Sequence, residues 1–226
     1  MALDQRTYRG KVLYISDGKG EMGREWFTVT IQPNGDRTMR AQCEMDDFQL
    51  LREVVVTVNA DWNPLDAFVR LTRHGEFVGS GWFRFTEQYA ECEAFTVKEG
   101  RVSQRVATAG RAPMFGAHPV HNDAWRLAKY ERNSNEPVQR LNGSLTSSTK
   151  PHGGSGPMLC PTSSGIRYIG AERITVTAGT FDTEHFHFLV QDYPPIDIWA
   201  YSEDCIPVRV RWDLLGQTYE LIELER

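Results

Sequence analysis

The 226-residue chain is expected to be mainly β, a long antiparallel meander forming a curved sheet or barrel, with one short helix near 119–131. Three observations carry that expectation. Apolar and polar residues alternate with a period of two along most of the chain. Turn residues interrupt the alternation at the 8–12-residue spacing of consecutive strands. Only one stretch shows a helical period.

In chain order, alternating or β-branched runs fall near 9–16, 25–32, 36–45, 53–59, 66–74, 77–86, 89–97 and 101–108. Asn34-Gly35 predicts a tight hairpin, and His74-Gly75 and Glu99-Gly100 mark further reversals. Residues 119–131 read as the helix, with Asn122 as N-cap, Asp123 at the positive end, and Val120, Ala124 and Leu127 on one side. The stretch 142–165, rich in Gly, Ser, Thr and Pro, reads as a loop tied down on the surface, or as a lid. Strands resume at 166–177, 180–191, 196–201, 206–213 and 217–224. The whole of 1–226 is therefore expected to form one barrel-like domain whose helix plugs the concave face and leaves a pocket there.

The formal net charge of -5 is spread along the chain, which argues against nucleic acid or an anionic membrane as the main partner. No apolar run approaches the roughly 18 residues that span a bilayer. The opening MALDQRTYRGKVLYIS has neither a basic start nor an apolar core, and Cys43, Cys92, Cys160 and Cys205 form no C-x-x-C pair. A cytoplasmic protein with reduced thiols is the expectation. The sequence contains no G-x-S-x-G elbow, P-loop, G-x-G-x-x-G after a strand, or H-E-x-x-H, so nucleotide-dependent chemistry and the common serine hydrolases are not expected. Oligomeric state is not encoded in any of these features.

Three C-terminal segments, ITVTAGTFDTEHFHF, DIWAYSEDCIPVRVRW and GQTYELIELE, share a pattern: Ala178-Gly179-Thr180-Phe181, a later Trp199, and Pro207-Val208 opening the penultimate strand. This quarter of the chain resembles the C-terminal half of a large bacterial family of uncharacterised β-rich proteins, typically exported, with a half-barrel similar to that of the lipoprotein carriers. The resemblance implies a curved antiparallel sheet around a hydrophobic groove, and it transfers no catalytic residue.

Histidine is the main chemical signal. His118 and His121 precede or open the helix, and His185 and His187 share one face of a strand. If the pairs converge, they could complete a metal site, but a cupin-like Glu after His187 and the second cupin motif are missing. No metal or cofactor is therefore expected, and less than about half an equivalent of transition metal should co-purify. The same imidazoles, with Asp123 or Asp182 orienting one of them, suit general acid/base work, because imidazole titrates near neutrality. In GSGWFRF, Gly79, Gly81, Phe83 and Phe85 share a face, and Ser80, Trp82 and Arg84 share the other. Strand curvature is the expected reason for the glycine pair. Asp197, Trp199 and Tyr201 also share a face. Strand arginines Arg40, Arg70, Arg84, Arg209 and Arg211 are expected to face solvent.

The leading functional expectation is a cofactor-free lyase, isomerase or hydratase that binds a hydrophobic, aromatic or isoprenoid-like molecule in a barrel cavity. His118, His121, Asp123, His185 and His187 are the candidate catalytic residues, and Trp82, Arg84, Trp125, Trp199 and Tyr201 the candidate walls. A non-catalytic carrier of a lipid or apolar metabolite is the alternative, and a metal-dependent enzyme using the paired histidines the third reading.

Overall fold

Every expected run becomes a strand in the computed structural model, which describes residues 4–191 and 193–226. The first eight are β1 (Arg6–Ser16), β2 (Gly20–Ile31), β3 (Arg37–Met45), β4 (Leu50–Val58), β5 (Pro64–Arg73), β6 (Glu76–Phe85), β7 (Tyr89–Thr96) and β8 (Gly100–Ala107). Between β8 and the next long strand lie short elements: β9 (Phe115–Gly116), helix α1 (Val120–Trp125) with a 3-10 turn at Arg126–Lys129, β10 (Gln139–Arg140), β11 (Leu145–Thr146) and β12 (Cys160–Pro161). The last five long strands are β13 (Ser164–Val176), β14 (Gly179–Val190), β15 (Ile196–Tyr201), β16 (Ile206–Trp212) and β17 (Gln217–Glu225).

Each long strand pairs antiparallel with its successor, and β17 pairs with β1, so the sheet order is β10-β13-β14-β15-β16-β17-β1-β2-β3-β4-β5-β6-β7-β8. The two edges, β8 and β10, are not hydrogen-bonded to each other, and the barrel-like sheet stays open. The chain leaves β8, runs through the concave face from about 108 to 163, and returns as β13. That segment is the plug of the fold. Inward side chains of the sheet, among them Val29, Met39, Val56, Phe83, Phe188 and Ile198, pack against Phe115, Ala124, Trp125, Leu127 and Leu145 of the plug. Burial of one such Val, Leu or Phe contributes about 1.5–3 kcal/mol, so the plug belongs to the core as much as the strands do.

The structure corrects four local expectations. First, the 142–165 stretch is interior, with Ser144, Ser147 and Ser148 no more than 2% exposed. A buried loop must pair its backbone, and this one does. Ser147 donates its N–H to the Gly116 carbonyl (2.8 Å), Met158 to the Ser147 carbonyl (3.1 Å), and Leu159 to the Gln104 side chain (2.7 Å). Small side chains are what let this much backbone fit between plug and sheet.

Second, Gly79 and Gly81 serve close approach. A Cβ at Gly81 would lie 2.9 Å from the Ala94 methyl and 3.1 Å from Pro157, and one at Gly79 2.9 Å from Pro157. Third, the Asn34-Gly35 reversal is wider than a two-residue turn. Gln32 and Asp36 close it through the Gln32 N–H to the Asp36 carbonyl, 2.8 Å, with Gly35 left-handed at φ 87. The fourth correction concerns the helix start. Asn122 lies inside α1 and accepts from the Ala117 N–H (2.8 Å), while Pro119 holds the N-cap position with no side-chain cap.

Candidate functional site

The missing cap comes from another element. Glu25 on β2 points inward and is fully buried. One of its carboxylate oxygens accepts the Val120 N–H at 2.7 Å and the Tyr14 hydroxyl at 2.8 Å; the other accepts the His121 N–H at 3.1 Å. A carboxylate at a helix start satisfies donors that have no partner within the helix. Burial pushes the Glu25 pKa up, against the hydrogen bonds from the His121 backbone, Tyr14 and the Val120 backbone.

Behind this contact, His121 is fully buried, stacked on Phe27 at 4.1 Å, with Nε2 3.0 Å from the Tyr8 hydroxyl. Burial alone pushes its pKa down to about 3, so it is a neutral core imidazole at pH 7.

Arg52 on β4 is the second inward charge, 1% exposed. It donates to the His118 carbonyl at 3.3 Å and also to the His152 carbonyl. His118 has a left-handed backbone, φ 74, a conformation that costs a non-glycine residue about 1 kcal/mol or more and persists where neighbours hold it. Gly153 must be glycine here: φ is +68, and a Cβ would meet the Arg52 guanidinium at 2.4 Å and the His118 ring at 2.7 Å.

Between the plug and the inward faces of β14–β16 lies a narrow cleft of about 60 Å³. It adjoins a second hollow of about 40 Å³ that runs toward Tyr14 and Tyr219. His118, Asp123, Pro151, Ile196 and Trp212 line both. One wall of the cleft is apolar, formed by Phe188, Val190, Ile196 and Trp212; the plug side is polar, with Asp123, Arg126, Thr146, Ser148 and Lys150.

Arg126 lies over the Phe188 ring at 4.2 Å and pairs with Asp123 at 2.6 Å. Burial raises the Asp123 pKa, against the pull of the Arg126 and Arg52 charges. His118, whose Nε2 is 3.2 Å from the Thr146 hydroxyl, is held well below the usual imidazole range by burial, then by Arg52 and Arg126. The plug side of the cleft thus presents Arg126 and Lys150, with Arg52 in the adjoining hollow, against the single carboxyl group of Asp123.

Of the candidate catalytic residues, the structure brings His118 and Asp123 together. His121 is enclosed, and Trp125 fills core space between Trp62 and His121. His185 and His187 lie on the convex face of β14, opposite the inward Phe186 and Phe188, so the two histidine pairs do not converge. Trp82, 43% exposed, and Arg84 project outward from β6; Trp199 and Tyr201 project outward from β15. On the convex face His185 and His187 both meet the Asp197 carboxylate, at 2.7 and 3.1 Å. Glu25, Arg52 and Arg126 were not among the expected site residues.

The comparisons bear on the fold alone. The chain is similar to the crystal structure of a β-barrel-like protein of the domain of unknown function DUF1849 from Brucella abortus, with TM-score 0.62 and 11% identity over 99% of each chain. A DUF1089 family protein from Pseudomonas aeruginosa aligns at TM-score 0.45 and 10% identity over 84% of this chain and 90% of that one. No family model and no curated protein matches the sequence. Among the described residues, no helix is long and apolar enough to cross a membrane.

Proposed function

We propose that this protein is a binding module for a small amphipathic anion, with a carboxylate head and an aliphatic or aromatic body, seated between the plug and β14–β16. The division of the cleft lining carries the reading: basic side chains outnumber Asp123 on one wall, and Phe188, Ile196 and Trp212 make up the other. Guanidinium donors suit a carboxylate, and the apolar wall rewards burial of the ligand body at about 25 cal/mol per Å². The reading keeps the hydrophobic ligand expected from the sequence, adds a charge to it, and fits the groove that the family resemblance implies.

A second reading, cofactor-free proton transfer, rests on His118 and Asp123 sharing the cleft. A neutral imidazole accepts a proton, but the burial that keeps His118 neutral also makes it a weak base, which ranks this reading behind binding.

The test is fluorescence of Trp212 with octanoate and phenylacetate, against octylamine and phenethylamine. The carboxylates should quench saturably and the amines should not. Arg126→Gln should weaken carboxylate binding at least about tenfold, the loss of a charge-assisted contact, and Trp212→Phe should remove the signal. Equal binding of amines, or indifference to Arg126→Gln, would refute the reading. Turnover of a bound ligand that falls about a hundredfold or more in His118→Ala would put catalysis first.

A further inference from the structure

The sequence offers His185 and His187 two apart on β14 with no carboxylate following them. The sheet supplies one from the next strand: His187 pairs in register with Asp197, and His185 with Trp199. We propose that His185, His187 and Asp197 form a binding site for a divalent first-row transition cation of the Zn²⁺ class on the convex face, separate from the cleft. The donor atoms of the three side chains all lie within 4.8 Å of one another, and each side chain is partly buried.

The distances support the assignment. Metal–ligand bonds of about 2.0–2.2 Å place neighbouring donors roughly 3.0–3.5 Å apart at right-angled to tetrahedral angles. Asp197 Oδ1 stands 2.7 Å from His185 Nε2 and 3.1 Å from His187 Nε2, so small side-chain shifts make both separations edges of a coordination polyhedron. Two imidazoles and a carboxylate suit zinc, iron, nickel and copper better than calcium or magnesium.

The site is also oriented in advance. The His185 ring stacks on Trp199 at 4.2 Å with only 12° between planes, and the Trp199 indole N–H donates to Glu172 at 2.7 Å. Strand geometry fixes the third ligand without loop ordering, which lowers the entropic cost of binding. In register, Asp197 faces Arg211, which is engaged by Asp17 and Asp213, each at 2.7 Å, and His187 faces Arg167 of β13, whose side chain is exposed to solvent. Three protein ligands from one sheet face leave the remaining positions toward solvent, the arrangement of a site that also takes water or an exogenous ligand.

Tag-free protein stripped with a chelator and titrated with Zn²⁺ by calorimetry, and with Co²⁺ by visible absorption, tests this site. One equivalent should bind, with Co²⁺ giving ligand-field bands. Asp197→Asn and His187→Ala should each lower affinity at least about tenfold, while His152→Ala, a cleft-side histidine, should leave it unchanged. Circular dichroism of the variants should match the parent, because all three ligands sit on the outer face. No binding, or binding that Asp197→Asn and His187→Ala leave intact, would reduce the cluster to a carboxylate shared between two imidazoles. Binding lost with His152→Ala instead would place the ion elsewhere and equally overturn the proposal.

Discussion

The plug meets β1–β8 and β13–β17 in different ways. On the β1–β8 side the contacts are directional. Glu25 holds the start of α1, Arg52 holds the carbonyls of His118 and His152, and Gln104 exchanges hydrogen bonds with Leu159 in both directions. On the β13–β17 side hydrogen bonds to the plug gather at the start of β13, where Ser164 donates to the Ser144 hydroxyl at 2.8 Å and its carbonyl accepts the Leu141 N–H at 3.0 Å, whereas Phe186, Phe188, Ile198, Val208 and Val210 of β14–β16 meet the plug with apolar side chains. The cleft lies along this second side. Directional bonds fix a position, and apolar contact tolerates sliding. The contrast therefore explains where space remains inside the molecule: the plug is clamped to β1–β8 and to the start of β13, and rests mainly on apolar contact along the inward faces of β14–β16.

The largest expected effect breaks the clamp. Glu25→Ala leaves the Tyr14 hydroxyl and two backbone N–H groups buried without their acceptor, and at 1–3 kcal/mol each, partly offset by losing a buried carboxylate, the cost is about 3–5 kcal/mol. Thermal denaturation should register it as a drop of roughly 6–20 °C for a chain of this size. A loss under about 1 kcal/mol would mean that the β1–β8 side is no firmer than the other.

An intermediate effect comes from pH. His121 has its folded pKa pushed down to about 3, below its unfolded value of 6.5, so the unfolded chain takes up the proton first as pH falls. Stability is therefore fully present above pH 6.5 and is lost progressively on the way down to about 3. The loss from this residue alone is about 2 kcal/mol at pH 5. His121→Gln, which keeps a partner for the Tyr8 hydroxyl, should flatten the stability profile between pH 7 and 5. A profile unchanged from the parent would show that His121 is not the buried neutral group described.

The smallest effect tests the other half. Arg132 and Glu184 form a polar tie from the plug to β14, but their side chains are 60% and 37% exposed. Such pairs are worth about 0.2–1 kcal/mol. Arg132→Ala should shift the denaturation midpoint by no more than that, and a larger shift would erase the asymmetry between the halves.

How much of this was legible beforehand follows from what alternation can and cannot say. Strand positions and the presence of a helix starting near 120 follow from local period, though the helix is shorter than 119–131, and the outward placement of Arg40, Arg70, Arg84, Arg209 and Arg211 follows from it too. The inward charges were legible too, in principle, because each breaks the same rule. Glu25 stands on the parity of Phe27, Val29 and Ile31, and Arg52 on that of Leu50, Val54 and Val56. A charge on the apolar parity of a strand signals a buried polar contact, and the signal is sharper than a count of histidines. The Asp197 partner of the histidine pair needs the register between β14 and β15, which depends on the turn between them. The interior course of 142–165 had no local signature, since Gly and Ser occur as readily in exposed loops as in closely packed ones.

The pairing of β1 with β17 has a consequence during synthesis. Arg9 and Glu225 bond across 216 residues of sequence. At about 5–20 residues per second, roughly 10–40 s separate their emergence from the ribosome. Through that interval β2 to β8 can add to one side of β1 while its other edge has no partner, the condition under which a strand recruits a foreign chain. β1 carries Arg6, Arg9 and Lys11 along its length, and charged side chains of this kind keep a waiting edge from accepting the wrong neighbour.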